Sequence, residues 1–157
     1  MGNVKISQEI IDAINDPGSI KVLASISRTG ELHVVPKGTI TVNEEGNIRY
    51  YELLEGSQTN KNVTFALWFG RKIAINIITP DRRSYQIKGI PVKSLVAGKE
   101  YQKHYERAME LIPDSDLAAV YEIELTDVRE ESYPVRFAEE ARDNPLYIHL
   151  DKLAGQA

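Results

Sequence analysis

The chain has 157 residues, no cysteine, and 19 Lys and Arg against 23 Asp and Glu, for a formal net charge of −4. Its length fits one domain, and 42% hydrophobic with 27% charged residues is the composition of a globular protein. The missing thiol excludes disulfides, thiolate metal centres and a cysteine nucleophile, while the acidic balance argues against nucleic acid as the main partner.

Ser7 is an N-cap candidate for a first helix, with Ile6 and Ile11 as a hydrophobic staple. Ile10, Ile11 and Ile14 form its stripe, and Asp16-Pro17-Gly18 stops it. The period then falls to two: Ile20, Val22, Ala24 and Ile26 alternate with more polar partners up to a turn at Arg28-Thr29-Gly30. A second strand spans about 31–42, with a bulge or bend expected at Pro36-Lys37-Gly38, where proline lacks a ladder donor. The hairpin loop 43–47 leads to a third strand from Ile48 to Leu54.

Residues 55–62 are too polar for a strand, whereas Val63 to Phe69 and Ile73 to Thr79 read as two strong strands joined by Gly70-Arg71-Lys72. Another strand runs from Tyr85 to about Val92. Tyr101, Tyr105, Ala108 and Ile112 mark one face of a helix that Pro113 ends, and Leu117 to Leu125 alternates as a last strand. Asn144-Pro145 begins a short terminal helix carrying Leu146, Tyr147, Leu150 and Leu153. The expected architecture is a single mainly β domain over 1–157: an antiparallel barrel of about seven strands, closed to remove its edges, with peripheral helices.

Charge is unevenly placed. Residues 57–105 carry 9 basic and 2 acidic side chains, whereas 106–157 carry 5 and 13. No apolar run approaches the roughly 20 residues of a membrane span, and the polar start carries no secretory signal, so the expected location is the cytoplasm. The Asn62-Val63-Thr64 sequon has no meaning without a secretion route.

His33, His104 and His149 lack any paired ligand spacing, so no metal site is expected. GxSxG, GxxxxGK[ST] and GxGxxG motifs are all absent, and a side-chain nucleophile has no support. Any chemistry is expected to come from a bound group. Hydroxyl, amide and basic side chains crowd together only from Gly56 to Asn62. A single helical turn capped by Thr59, with free N–H groups, two hydroxyls and Lys61, would hold a phosphate; an ordinary polar loop is the equal alternative.

A succession of short segments carries a family resemblance. Ala24-Ser25-Ile26-Ser27 and a Gly turn precede Leu32-His33-Val34-Val35-Pro36. Tyr50-Tyr51-Glu52-Leu53-Leu54 then runs into the 56–62 loop and Val63-Thr64-Phe65-Ala66-Leu67. Tyr85-Gln86-Ile87-Lys88-Gly89 follows, and a helix opens at Gly98-Lys99-Glu100-Tyr101. From about Ile20 to Ile112 this order resembles the pyridoxamine 5′-phosphate oxidase-like FMN-binding split-barrel family, especially its small FMN-binding members.

The resemblance implies a homodimer with FMN at the subunit interface and a flavin-dependent oxidoreductase acting on a small redox substrate. It assigns the flavin phosphate to Ser57, Gln58, Thr59 and Asn62, with Lys61 in support. The ring falls along Val35, Pro36, Lys37, Gly38 and Thr39, flanked by Glu52, Leu53 and Leu54, with Tyr85 and Gln86 as weaker candidates from the partner. The family often places Lys or Arg where Gln58 stands, and losing a charge-assisted bond forfeits about 1.5–3 kcal/mol. Lys61 is the compensating candidate; otherwise a deazaflavin or haem replaces FMN. Trp68, in the expected strand with Ala66 on the same face, reads as core or interface packing. Two rivals remain: a protein that binds or stores flavin, deazaflavin or haem without turnover, and a cofactor-free barrel serving as an interaction module.

Overall fold

In the computed structural model, residues 4–146 and 153–155 are described. Seven strands form one antiparallel sheet: β1 (Ile20–Ile26), β2 (Leu32–Pro36), β3 (Ile40–Val42), β4 (Ile48–Glu52), β5 (Ile73–Ile78), β6 (Ser84–Leu95) and β7 (Ala119–Glu130). Helices among the described residues include α1 (Gln8–Asn15), α2 (Gln58–Phe69), α3 (Gly98–Leu111) and α4 (Tyr133–Asp143). The strand order is β2-β1-β5-β6-β7-β4-β3, so β2 and β3, adjacent in sequence, lie at opposite edges.

Pro36 has no N–H to continue pairing, and the chain leaves β2 there. Lys37 N–H still donates to the Lys21 carbonyl (2.8 Å), and the Lys21 ammonium donates to the Ile40 carbonyl (3.0 Å). The first bond extends the β1–β2 ladder, and the second reaches from β1 to the far edge strand β3 across the open side of the curled half-barrel. The break expected at Pro36-Lys37-Gly38 is therefore the seam of the barrel.

Leu23, Ile40, Ile48, Tyr50, Ile75, Ile77, Tyr85, Ile87, Tyr121 and Ile123 fill the interior. Gly89 lies at a bulge in β6, where a Cβ would come within 2.6 Å of Ile123 and 2.7 Å of the Glu124 carbonyl; no larger residue fits without movement there. On the outer face of β4 and β7, a second cluster of Tyr51, Ala108, Leu117 and Val120 seats α3.

The β1 pattern has the opposite sense from a conventional core face. Lys21, Leu23 and Ser25 point inward and are buried, while Ile20 and Ile26 are exposed. With Leu32 (81% exposed) and Val34 (64% exposed) on edge strand β2, the outward face of this corner is apolar. A shift of one residue would exchange the faces of the strand, so the observed register is what leaves this corner apolar on the outside.

Two other expectations change. Val63 to Phe69 is the end of α2, not a strand. Thr59, Asn62, Val63 and Ala66 form its buried face at helical spacing, while Trp68 is 76% exposed, on a different face from Ala66. Polar groups on the buried stripe and aromatics on the exposed one mask the helical period. Its cap is Ser57, whose Oγ accepts from Asn60 N–H (2.9 Å), rather than Thr59, and Gly70 closes it in the left-handed region at φ 60°. The strand count of seven nevertheless stands, because the expected 31–42 strand divides into β2 and β3.

Helix α4 was not expected, and Tyr147 and Leu150 of the expected terminal helix lie outside the described residues. The uneven charge is matched within the fold: β6 pairs with acidic β7, placing Lys88 opposite Asp127 and Lys93 opposite Glu122. Arg83 forms ion pairs with Glu9 and Asp81. Among the described residues, no helix is long and apolar enough to cross a membrane.

Candidate functional site

The seam opens into a cleft of about 1170 Å³ between β3, β4, the 36–39 connection and α3. That volume exceeds the 300–1,000 Å³ typical of small-ligand pockets. Seven of the residues selected from the sequence line it together: Pro36, Lys37, Gly38, Thr39, Glu52, Leu53 and Leu54. Val35 immediately precedes them on β2 and is partly buried.

Glu52 is 1% exposed at the end of β4. Its carboxylate accepts from the Tyr50 hydroxyl and from Leu54 N–H (3.0 Å), and lies 3.5 Å from the Lys37 ammonium. Burial and the Glu52 carboxylate push the Tyr50 hydroxyl pKa well up, so it remains a donor. Lys37 also stands over the Tyr50 ring at 5.7 Å. The Thr39 hydroxyl donates to the Tyr51 carbonyl (2.6 Å), fixing the connection against β4. Burial lowers the Lys21 pKa, with Asp16 opposing the shift.

Ser57, Gln58, Thr59, Lys61 and Asn62 form the start of α2, just beyond Leu54 and outside the cleft lining. Several of their side chains are already engaged. Asn62 donates to Ser25 Oγ (3.0 Å) and accepts from Gln58 Nε2 (2.7 Å), while Thr59 Oγ1 bonds His33 Nε2 (3.1 Å). The buried Thr59 and Asn62 therefore hold α2 against β1 and β2. Groups that remain open to an anion are the Gln58 and Thr59 N–H groups, the Ser57 O–H and the exposed Lys61 ammonium. The burial of Asn62 also closes the sequon to any glycan.

Sequence reasoning missed Lys21, Arg49, Tyr51, His104 and Arg107, all of which line the cleft. Tyr51 and His104 bond through the hydroxyl and Nδ1 (2.8 Å) and meet edge to face. Burial, then the charge of Arg49, lowers the His104 pKa. Lys21 carried a readable signal, a lysine in phase with Leu23 on one face of a strand; α3 brings its residues to β4 only through tertiary packing. Tyr85 and Gln86 lie on β6, away from the cleft lining. Among the described residues, no cluster of three or more metal-ligating side chains occurs.

No family model and no curated protein matches the chain. Solved structures do. HupZ of Group A Streptococcus is 21% identical with a TM-score of 0.66, covering 82% of this chain and 95% of its own. A putative pyridoxamine 5′-phosphate oxidase from Lactobacillus delbrueckii is 17% identical at TM-score 0.59, covering 82% and 99%. An FMN-binding protein from Syntrophomonas wolfei is 9% identical at TM-score 0.60, covering 80% and 88%. HutZ of Vibrio cholerae, a heme storage protein by name, is 10% identical at TM-score 0.58, covering 81% and 95%. The chain has the split-barrel fold of these proteins.

Proposed function

We propose that the chain is a homodimeric FMN-binding flavoprotein, acting as a flavin-dependent oxidoreductase on a small substrate. The observation that carries this reading is the seam. One backbone crossing, Pro36 to Thr39, opens a ligand-sized cleft, and the strand beside it runs through Leu54 into a helix N-terminus with unpaired N–H groups. A planar ring along the crossing and a phosphate at that terminus match the two ends of one flavin nucleotide. Fold neighbours that include an FMN-binding protein support the choice.

Bound FMN would supply a hydride acceptor. Residues 36–39 would present backbone groups to its polar edge, and Leu53 and Leu54 would pack its flank. The Lys37–Glu52 pair would hold that wall in place. Affinity must come largely from burial, because association costs roughly 4–15 kcal/mol and a few phosphate contacts do not reach the −8.2 kcal/mol of a micromolar complex. Leu54 is exposed in the isolated chain, and the outward apolar face of β1 and β2 calls for a cover. A second copy meets both demands. Titration with FMN, followed by fluorescence quenching and the oligomeric state, tests the reading.

One observation favours a second reading, a protein that binds a flavin, deazaflavin or haem without turnover. The Gln58 amide is committed to Asn62 and is neutral, which leaves Lys61 as the one side-chain cation in the first turn of α2. A heme storage protein also shares the fold. Oxidation of a reduced nicotinamide by the FMN-loaded protein separates the two.

A further inference from the structure

The cleft has a second wall that the ring and phosphate assignments leave unused. Arg49 from β4 and Arg107 from α3 line it beside the Tyr51–His104 pair. The Arg49 Nε is buried without a hydrogen-bond partner, an arrangement that is costly unless a ligand satisfies it. Among the described residues, no ion pair engages either guanidinium. Both act on the same hydroxyl, opposing the rise that burial imposes on the Tyr51 pKa.

Three carboxylates, Glu52, Asp114 and Asp116, line the same cleft, and none forms an ion pair with either arginine. Glu52 is taken by Lys37 and Tyr50, and Asp116 accepts from Leu117 N–H (2.8 Å). Asp114, on the loop after α3, is exposed at the cleft's edge, where solvent screens its charge. Glu122 faces Arg49 across the β4–β7 ladder without forming an ion pair and also stands opposite Lys93. Leu111 and Ile112 add apolar surface to the same wall.

We propose that Arg49 and Arg107 form an oxyanion subsite that seats the carboxylate or phosphate of a small substrate whose apolar body lies against Leu111 and Ile112. Calling the ligand a substrate rests on the flavin reading; the subsite itself is read from this chain's own side chains. Two guanidiniums from different elements match the two or three oxygens of such a group, and an apolar body accounts for the rest of the volume.

The test is calorimetric titration of the whole chain with benzoate and with phenyl phosphate, using benzyl alcohol as the neutral counterpart. It is run with and without FMN, on wild type, Arg49→Met, Arg107→Met and Arg107→Lys. At least one anion binds at least tenfold more tightly than the alcohol. Each Met substitution weakens that anion about tenfold, and Arg107→Lys recovers part of the loss. Preference for benzoate identifies a carboxylate ligand, and preference for phenyl phosphate a phosphate monoester.

Arg107 is exposed, so its removal leaves the fold intact even if Arg49→Met does not. Equal affinity for the alcohol, no binding of either anion, or undiminished binding by Arg107→Met overturns the proposal. FMN uptake is read separately by flavin fluorescence. Anion binding without FMN uptake keeps the subsite and removes the flavin reading, whereas FMN uptake without anion binding does the reverse.

Discussion

The Lys37 ammonium lies 3.5 Å from a Glu52 carboxylate oxygen that also takes the Tyr50 hydroxyl bond, so the seam of the barrel is joined to a single buried charge. Lys37→Met removes the countercharge and leaves the carboxylate desolvated. The expected loss is about 3 kcal/mol in urea unfolding, at the low end for broken buried pairs because Lys37 keeps some solvent contact. Adding Glu52→Gln restores much of it, and a double-mutant cycle gives a coupling of at least about 1 kcal/mol. Additive losses would mean that the pair does not organise the seam.

The apolar exterior of β1 and β2 predicts an interface. Leu32→Lys with Val34→Glu places charge on two exposed side chains without touching the core. Wild type is expected to sediment as a dimer and this variant as a folded monomer. A wild type that is monomeric at micromolar concentration contradicts the assignment.

Anchoring of the phosphate is best tested at exposed positions. Thr59→Val and Asn62→Leu would weaken α2 itself, because both side chains bond across to β1 and β2. Gln58→Lys instead supplies a cation at the first helical turn and is expected to tighten FMN about tenfold. Lys61→Met is expected to weaken it by a similar factor. FMN affinity indifferent to both substitutions would place the phosphate elsewhere.

His104 gives a pH dependence. Its pKa is lowered in the folded protein by burial and by Arg49, so the unfolded chain binds more protons between the folded value and about 6.5. Stability therefore rises with pH through that window, and this contribution is lost as pH falls below about 6.5. Urea midpoints measured from pH 5 to 7.5 are expected to show a shallower slope for His104→Gln than for wild type. Equal slopes would mean that the imidazole titrates as it does in water.

Much of the frame was legible because strands such as β5, with Ile73, Ile75 and Ile77 in phase, declare a buried face directly. The break at Pro36 was equally plain, since proline cannot continue a ladder. Helix α2 was not legible: Val, Thr, Phe and Trp favour strands, and the period was hidden by buried Thr59 and Asn62 and exposed Trp68. Its true signals were the Ser57 cap and the Gly70 stop. The cleft-lining segment 36–39 was singled out by the resemblance in order and spacing. The Arg49–Arg107 wall was not, because it exists only where α3 folds back over β4.

The central claim, a flavin held at the seam, is most directly tested by the absorbance spectrum of the purified protein before and after FMN addition, with mass identification of what denaturation releases. The account predicts a bound-flavin spectrum and release of about one FMN per subunit. A colourless protein that takes up no FMN, or one that releases haem instead, would contradict it.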